Sequence, residues 1–190
     1  MKVLKQSFIS TIILFLLCGV MYPYFVTGIS KVLFKEKANG SLIYVDGKAV
    51  GSKIIGQKFT EEKYFHGRPS AYDYNTYDEK PDETVLASSG GSNYANSNPD
   101  YIKGVEDNTK NILKENPTIK QEDIPSEMVT ASGSGLDPNI TLQGAMIQID
   151  RIAKARNISK DKIVELVKEN SKQEIVNVLE LNIALDKLTK

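Results

Sequence analysis

Apolar residues fall along this chain in two regimes, one unbroken and one periodic. Between Lys5 and Lys31 no charged side chain interrupts the run from Gln6 to Ser30, and Phe8, Ile9, Ile12, Ile13, Leu14, Phe15, Leu16, Leu17, Val20 and Met21 fill its centre. As a helix this run reaches roughly 38 Å at about 1.5 Å per residue, enough to cross a hydrocarbon layer of about 30 Å with some tilt. A cleaved export signal has a shorter apolar core followed by small residues. Here Met21, Tyr22, Pro23, Tyr24, Phe25 and Val26 stay bulky, so the pattern predicts an uncleaved anchor over residues 1–34, with Tyr22 and Tyr24 suited to an aromatic interface belt. Cys18 follows Leu17 rather than the small residue a lipid-attachment site needs, and reads as an inert apolar thiol. Lys2 and Lys5 lie on one side of the run, Lys31, Lys35 and Lys37 with Glu36 on the other, so charge alone does not orient it.

Beyond the anchor the pattern becomes periodic and broken by turns. Leu42 to Val45, Asp46-Gly47, and Ala49-Val50 read as a hairpin, because Asp-Gly supplies the positive φ such turns need; the returning strand is expected to reach Ile54 and Ile55. A short turn of helix or loop, with Thr60 as cap, then carries Phe59, Tyr64 and Phe65 toward a core. From His66 to Pro99 neither period is present, and Gly, Ser, Asn, Asp, Pro and Tyr dominate. A loop this long implies function or a partner, and Tyr72, Tyr74, Tyr77 and Tyr94 suit a partly wet interface. A helix is predicted from Asp100 to Glu115 with Ile102, Val105, Ile112 and Leu113 on one face, then a strand at Met128 to Thr130. Leu142, Ala145, Met146, Ile149, Ile152 and Ala153 form one helical stripe capped by Thr141, and Ser159 caps a helix burying Ile163, Leu166 and Val167. Val176 and Val178 alternate around Asn177, before a final helix opened by Asn182. The fold class expected is α+β: a single N-terminal transmembrane helix followed by one mixed α/β extramembrane domain over residues 35–190.

Composition removes several functions. Basic and acidic residues balance at 24 each, without a basic cluster interleaved with aromatics, so nucleic acid is not an expected partner. The single cysteine allows no internal disulfide, and the single histidine leaves no set of ligands for zinc. Candidate chemistry is confined to Phe65 to Ser70, Ser89-Gly90-Gly91-Ser92-Asn93, Thr130 to Pro138, and Ala155-Arg156. The first reading of each is structural, since loop glycines permit unusual backbone angles and loop serines cap freed amides. Phosphate binding by an anion nest is the sharper alternative, but neither Gly-Ser loop has Walker A or dinucleotide-fingerprint spacing. Nucleophilic catalysis by Ser92 or Ser134 would have His66 as its sole imidazole base and lacks a nucleophile-elbow motif. Arg68 could clamp a carboxylate or phosphate; a link to Asp73, Asp78 or a backbone carbonyl is the structural reading.

Taken in order, Val50-Gly51-Ser52 with Ile55-Gly56-Gln57, Tyr64 to Ala71, Ser89 to Asn93, Ser97-Asn98-Pro99, Thr130 to Pro138, Ala155-Arg156 and Val176 to Asn182 closely resemble the C subunit of the Kdp-type potassium-transporting P-type ATPase, over nearly the whole chain. Two departures stand out: Asn139 replaces a histidine frequent in the family, and Tyr94-Ala95-Asn96 replaces a common Gly-Pro pair. The resemblance implies an accessory, non-catalytic subunit of an inward potassium pump, described in the family as a catalytic chaperone that raises the affinity of the pump for ATP. Its implied partners are a potassium-translocating channel-like subunit, an ATP-hydrolysing P-type subunit and membrane lipid. The implied location is the bacterial plasma membrane, single-pass, with the domain on the outer face. No tightly bound cofactor is expected, ATP being reached through the complex. The partner- or nucleotide-binding candidates are His66, Arg68 and Ser70 in the first loop, Ser89, Gly90, Gly91, Ser92 and Asn93 in the second, and Ser132, Gly133, Ser134, Gly135 and Asp137 in the third. No catalytic residue and no metal ligand is expected. The alternatives are a nucleotide-binding regulator with a cytoplasmic domain and a membrane-anchored serine hydrolase.

Overall fold

The N-terminal apolar run forms one helix from Lys2 to Leu33, with none of its most apolar window buried within the chain. It has three parts: α1 (Lys2–Leu16), a π-helical turn (Leu17–Met21) and α2 (Tyr22–Leu33). The π turn sits just before Pro23, which has no N–H to offer the preceding turn and whose ring crowds the carbonyl four residues back. Widening the helix there, with Tyr22 N–H reaching Leu17 O, lets the rod pass the proline unbroken. The computed structural model describes residues 1–75 and 88–188, and Tyr77 and Asp78 lie outside the described residues. The chain divides into two compact units, Met1–Val50 and Gly51–Lys190.

In the first unit α2 ends at Phe34 (φ −132°, ψ 48°), followed by a single helical turn, α3 (Lys35–Ala38). The hairpin is present as β1 (Leu42–Val45) and β2 (Lys48–Ser52), with positive φ at both Asp46 and Gly47, as a two-residue turn of the right twist demands. The second strand is shorter than predicted. Ser52 Oγ accepts from Ile54 N–H and Ser52 O from Ile55 N–H, so the chain reverses where the strand was expected to continue.

The second unit contains α4 (Pro99–Glu115), β3 (Asn139–Thr141), α5 (Leu142–Met146), α6 (Ile149–Arg156), α7 (Lys160–Glu169), β4 (Ser171–Lys172), β5 (Ile175–Asn177) and α8 (Val178–Leu188). The strands form an antiparallel sheet ordered β3-β5-β4, with Ile140 opposite Val176 and Ser171 also opposite Val176. Helix α7 packs against α5, α6 and α8. Phe65, Ile152, Ile163, Val167, Val176, Leu181 and Leu185 are fully buried between these elements.

Three expectations are corrected here. Met128 to Thr130 is a 3-10 turn (Ser126–Met128) and its exit, because Ser126 O accepts from both Thr130 N–H and Thr130 Oγ–H and curls the β-branched pair back. The stripe from Leu142 to Ala153 is two helices: Gln148 N–H bonds Ala145 O, three residues back, and the Gln148 side chain bonds Gly144 O, which tightens the ladder and re-aims α6. The last helix opens at Val178, where Asn177 Oδ1 accepts from Glu180 N–H, while Asn182 is buried inside it. The short segment expected after Thr60 is a turn, in which Tyr64 N–H bonds Glu61 O. Elsewhere the expected caps are close. Thr141 Oγ accepts from Gly144 N–H as expected, while α4 starts at Pro99 rather than Asp100, with Asn98 accepting from Asp100 N–H. Ser159 precedes α7 without a side-chain cap bond.

Candidate functional site

The first loop is fixed by three buried polar side chains reaching from the helices. Asn182 accepts from Phe65 N–H at 2.8 Å and donates to Phe65 O at 3.0 Å. Gln148 does the same for His66, at 2.8 Å and 3.1 Å. Arg151, 7 % exposed, donates to Glu62 O, to Tyr64 O at 3.0 Å and to Gln148 Oε1 at 2.7 Å. A backbone with no strand partner must satisfy its amides somewhere if it is buried, and here side chains serve as the missing strand. Sequence reasoning overlooked Gln148 and Arg151 and assigned Asn182 to a helix cap. The available signal was polar residues inside otherwise apolar helical stripes.

His66 has an acceptor against each ring nitrogen, with Glu115 Oε2 3.3 Å from Nδ1 and Glu61 O 3.1 Å from Nε2. Arg151 Nη1 lies 3.4 Å from Nε2. The hydrogen bond with His66 holds the Glu115 carboxyl below the ordinary carboxylate range despite partial burial, assisted by the charges of His66, Arg151 and Lys114. This ties the C-terminal end of α4 to the loop. That helix has no fully buried residue, and Ile102, expected on its apolar face, is 47 % exposed. Ile112 packs against the core, and polar contacts add to it: His66 to Glu115, Asn108 to Val129 O, and Arg151 to Asn116.

Further along, the three candidate loops meet. Arg68 Nη1 lies 2.9 Å from Asp137 Oδ2, and Asp137 Oδ1 accepts from Asn139 N–H. The expected link of Arg68 to Asp73 is not formed, because Asp73 pairs with Lys58. Arg68 Nε is buried without a partner. Tyr74 donates to Arg68 O at 2.7 Å, and burial together with the Asp137 charge pushes its hydroxyl up to about 12, so it remains a donor through the neutral range. Ser70 Oγ donates to Gly135 O at 2.6 Å and accepts from Tyr72 and Tyr74 N–H. Ser132 N–H donates to Pro69 O, and its buried Oγ accepts from Gly135 N–H. Gly90 N–H and Ser89 Oγ–H both reach Ser134 O, while Ser134 Oγ accepts from Leu136 N–H.

Two glycines make this junction possible. Gly135 has φ +66°, and a Cβ there would stand 2.8 Å from Gly90 O; at Gly56, whose N–H donates to Leu136 O, a Cβ would stand 2.5 Å from Asp137 O. Gly91 packs over Gly133, leaving Ser92 and Asn93 exposed at the rim beside Tyr94. The loops thus form one ledge, with Tyr72 and Tyr94 42 % and 48 % exposed. His66 belongs to the neighbouring α4 contact, and among the described residues it shares no hydrogen bond with Ser92 or Ser134. Arg156, the remaining candidate, is a structural clamp: it donates to Lys63 O, pairs with Asp186 at 2.7 Å and lies 4.9 Å from the Tyr64 ring centre. No group of His, Cys, Asp and Glu among the described residues is arranged to hold a metal ion.

Comparison with known proteins gives a consistent picture. The family model described as K+-transporting ATPase, c chain, matches residues 4–187. A Staphylococcus aureus protein named potassium-transporting ATPase KdpC subunit 2 is 50 % identical, with 99 % of this chain and 100 % of the relative covered. Proteins named potassium-transporting ATPase KdpC subunit from Clostridium kluyveri and Clostridioides difficile are 45 % and 44 % identical, covering 98 % and 99 % of this chain and 94 % and 98 % of their own lengths.

Proposed function

This chain belongs to the family of the c chain of K+-transporting ATPases, and we propose that it is an accessory, non-catalytic subunit of an ATP-driven potassium uptake complex in the bacterial plasma membrane. The helix Lys2–Leu33 anchors it beside the spans of a channel-like subunit and an ATP-hydrolysing P-type subunit. Its domain lies on the outer face, where the ledge of the three loops docks on the channel-like subunit. ATP is then on the opposite side of the membrane. A chaperone-like rise in the pump's ATP affinity is therefore a coupling free energy between conformations, not contact in a shared nucleotide pocket.

One observation supports docking over chemistry: backbone amides of the ledge are spent on its own loops. Gly90, Gly135 and Leu136 N–H donate to neighbouring loop oxygens, whereas an anion nest needs such amides free. What remains outward is exposed tyrosine with polar loop, a surface suited to a partly wet interface.

Coexpressed with the two larger subunits and solubilised in mild detergent, the chain is expected to copurify with them stoichiometrically; recovery as a free monomer would overturn the proposal. Orientation is tested by placing a cysteine at Ser97 and treating intact cells with an impermeant thiol reagent. Ready labelling supports the outer face, and labelling only after permeabilisation supports a cytoplasmic regulator.

A further inference from the structure

Directly after the uncharged span the chain reads Lys31-Val32-Leu33-Phe34-Lys35-Glu36-Lys37, and all seven residues are exposed. Val32, Leu33 and Phe34 are 81 %, 66 % and 58 % exposed, so a large apolar surface sits between cationic side chains. None of the three lysines forms an ion pair among the described residues. Lys31 occupies the last turn of α2, where a cation offsets the negative end of the helix dipole. Phe34 leaves the helix, yet Phe34 N–H still bonds Ser30 O and Ala38 N–H still bonds Phe34 O. Ser30, Phe34, Lys37 and Ala38 therefore line one shallow recess of about 430 Å³ across the bend.

Water satisfies the ammonium groups but not Val32, Leu33 and Phe34, and hydrocarbon does the reverse. A bilayer surface bearing negative headgroups satisfies both, because lysine stems lie along apolar surface while their charges reach the phosphates. We propose that Lys31, Lys35, Lys37 and the recess beneath Phe34 form a binding site for the phosphate headgroup of an anionic lipid. Phe34 seats against the upper acyl chain and Ser30 Oγ–H is the neutral donor to the phosphate. The site rests on the reading of Lys2–Leu33 as a membrane span.

The full chain is reconstituted in vesicles of phosphatidylcholine containing phosphatidylglycerol, gently extracted, and its retained lipid counted by native mass spectrometry. Preferential retention of phosphatidylglycerol is expected, falling about five-fold for each Lys→Gln change at 31, 35 and 37 and kept in the Lys→Arg variants. Equal retention of both lipids by an inserted chain, or an unchanged preference in the triple Gln variant, would overturn the site. So would displacement of the lipid by millimolar inorganic phosphate, which would indicate a general anion site. Extraction by alkaline carbonate is measured on the same samples: release of the chain would overturn the span itself, a failure distinct from loss of lipid preference.

Discussion

The contact between Asn182 and Phe65 offers a sharp test of how the candidate loop is held. Asn182 is 2 % exposed and its amide satisfies both backbone groups of a fully buried residue, at 2.8 Å and 3.0 Å. Asn182→Ala orphans a buried N–H and a buried C=O. At about 1–3 kcal/mol for each group left without a partner, the loss should total about 2–6 kcal/mol. For a unit of this size that corresponds to a fall in Tm of about 3 °C per kcal/mol. Asn182→Asp sharpens the test because it is nearly isosteric. Ionised, the new carboxylate still accepts from Phe65 N–H but faces Phe65 O with another oxygen and carries an unpaired buried charge. Protonated, its O–H can donate to Phe65 O and both bonds return. Burial raises the introduced carboxyl above its unfolded value. The deficit relative to wild type is therefore absent below the unfolded pKa and grows to its full size as pH rises through the folded one. Urea unfolding of wild type and both variants across a pH series, in the same detergent, reads this directly. An Asn182→Ala cost under about 0.5 kcal/mol, typical of surface substitutions, or an Asn182→Asp deficit that does not shrink in acid, would refute the reasoning.

Four further variants carry expectations of their own. Gly135→Ala should cost about 1–3 kcal/mol in chemical denaturation, since it combines a positive φ with a Cβ at 2.8 Å from Gly90 O; Gly104→Ala, in the helix interior with nothing near its Cβ, should stabilise by about 0.5–1 kcal/mol. The depressed Glu115 carboxyl contributes stability above its unfolded value of 4.5 that is lost as pH falls through the lower folded value, so the margin of wild type over Glu115→Gln should vanish in that acid window. A margin that widens in acid would contradict the His66 contact. Leu16→Arg, near the middle of the apolar helix, should impair insertion by about 2.5–3.5 kcal/mol in a glycosylation-reporter assay.

Local chemistry accounts for what was legible without the fold. Absence of charge from Gln6 to Ser30 defines a long apolar helix without help from any neighbour, and Asp46-Gly47 sets its own backbone angles. Thr141 likewise starts a helix through a bond to a residue three positions away. The segment order that carries the family resemblance is also a property of the chain alone, and it placed the candidate loops before their geometry was known. Other features have no local cause. The β4-β5 turn holds Gln173 and Glu174 at positive φ without Gly or Asn, so only the pairing of Ser171 with Val176 and Lys172 with Ile175 compels it. The break at Gln148 follows a side chain that also holds His66, 82 positions away, and Asn182 leaves the role of a cap because Phe65 lies 117 positions away with two unmet backbone groups. The sharing of Ser134 O by Ser89 and Gly90, and the pairing of Arg68 with Asp137 rather than Asp73, arise in the same way. Sequence by itself determined the long apolar helix, the turns and the kinds of element, because these depend on residues within a few positions of each other. Tertiary structure alone decided which polar groups are buried and with whom, because a buried donor or acceptor must find its partner wherever the packed chain brings one.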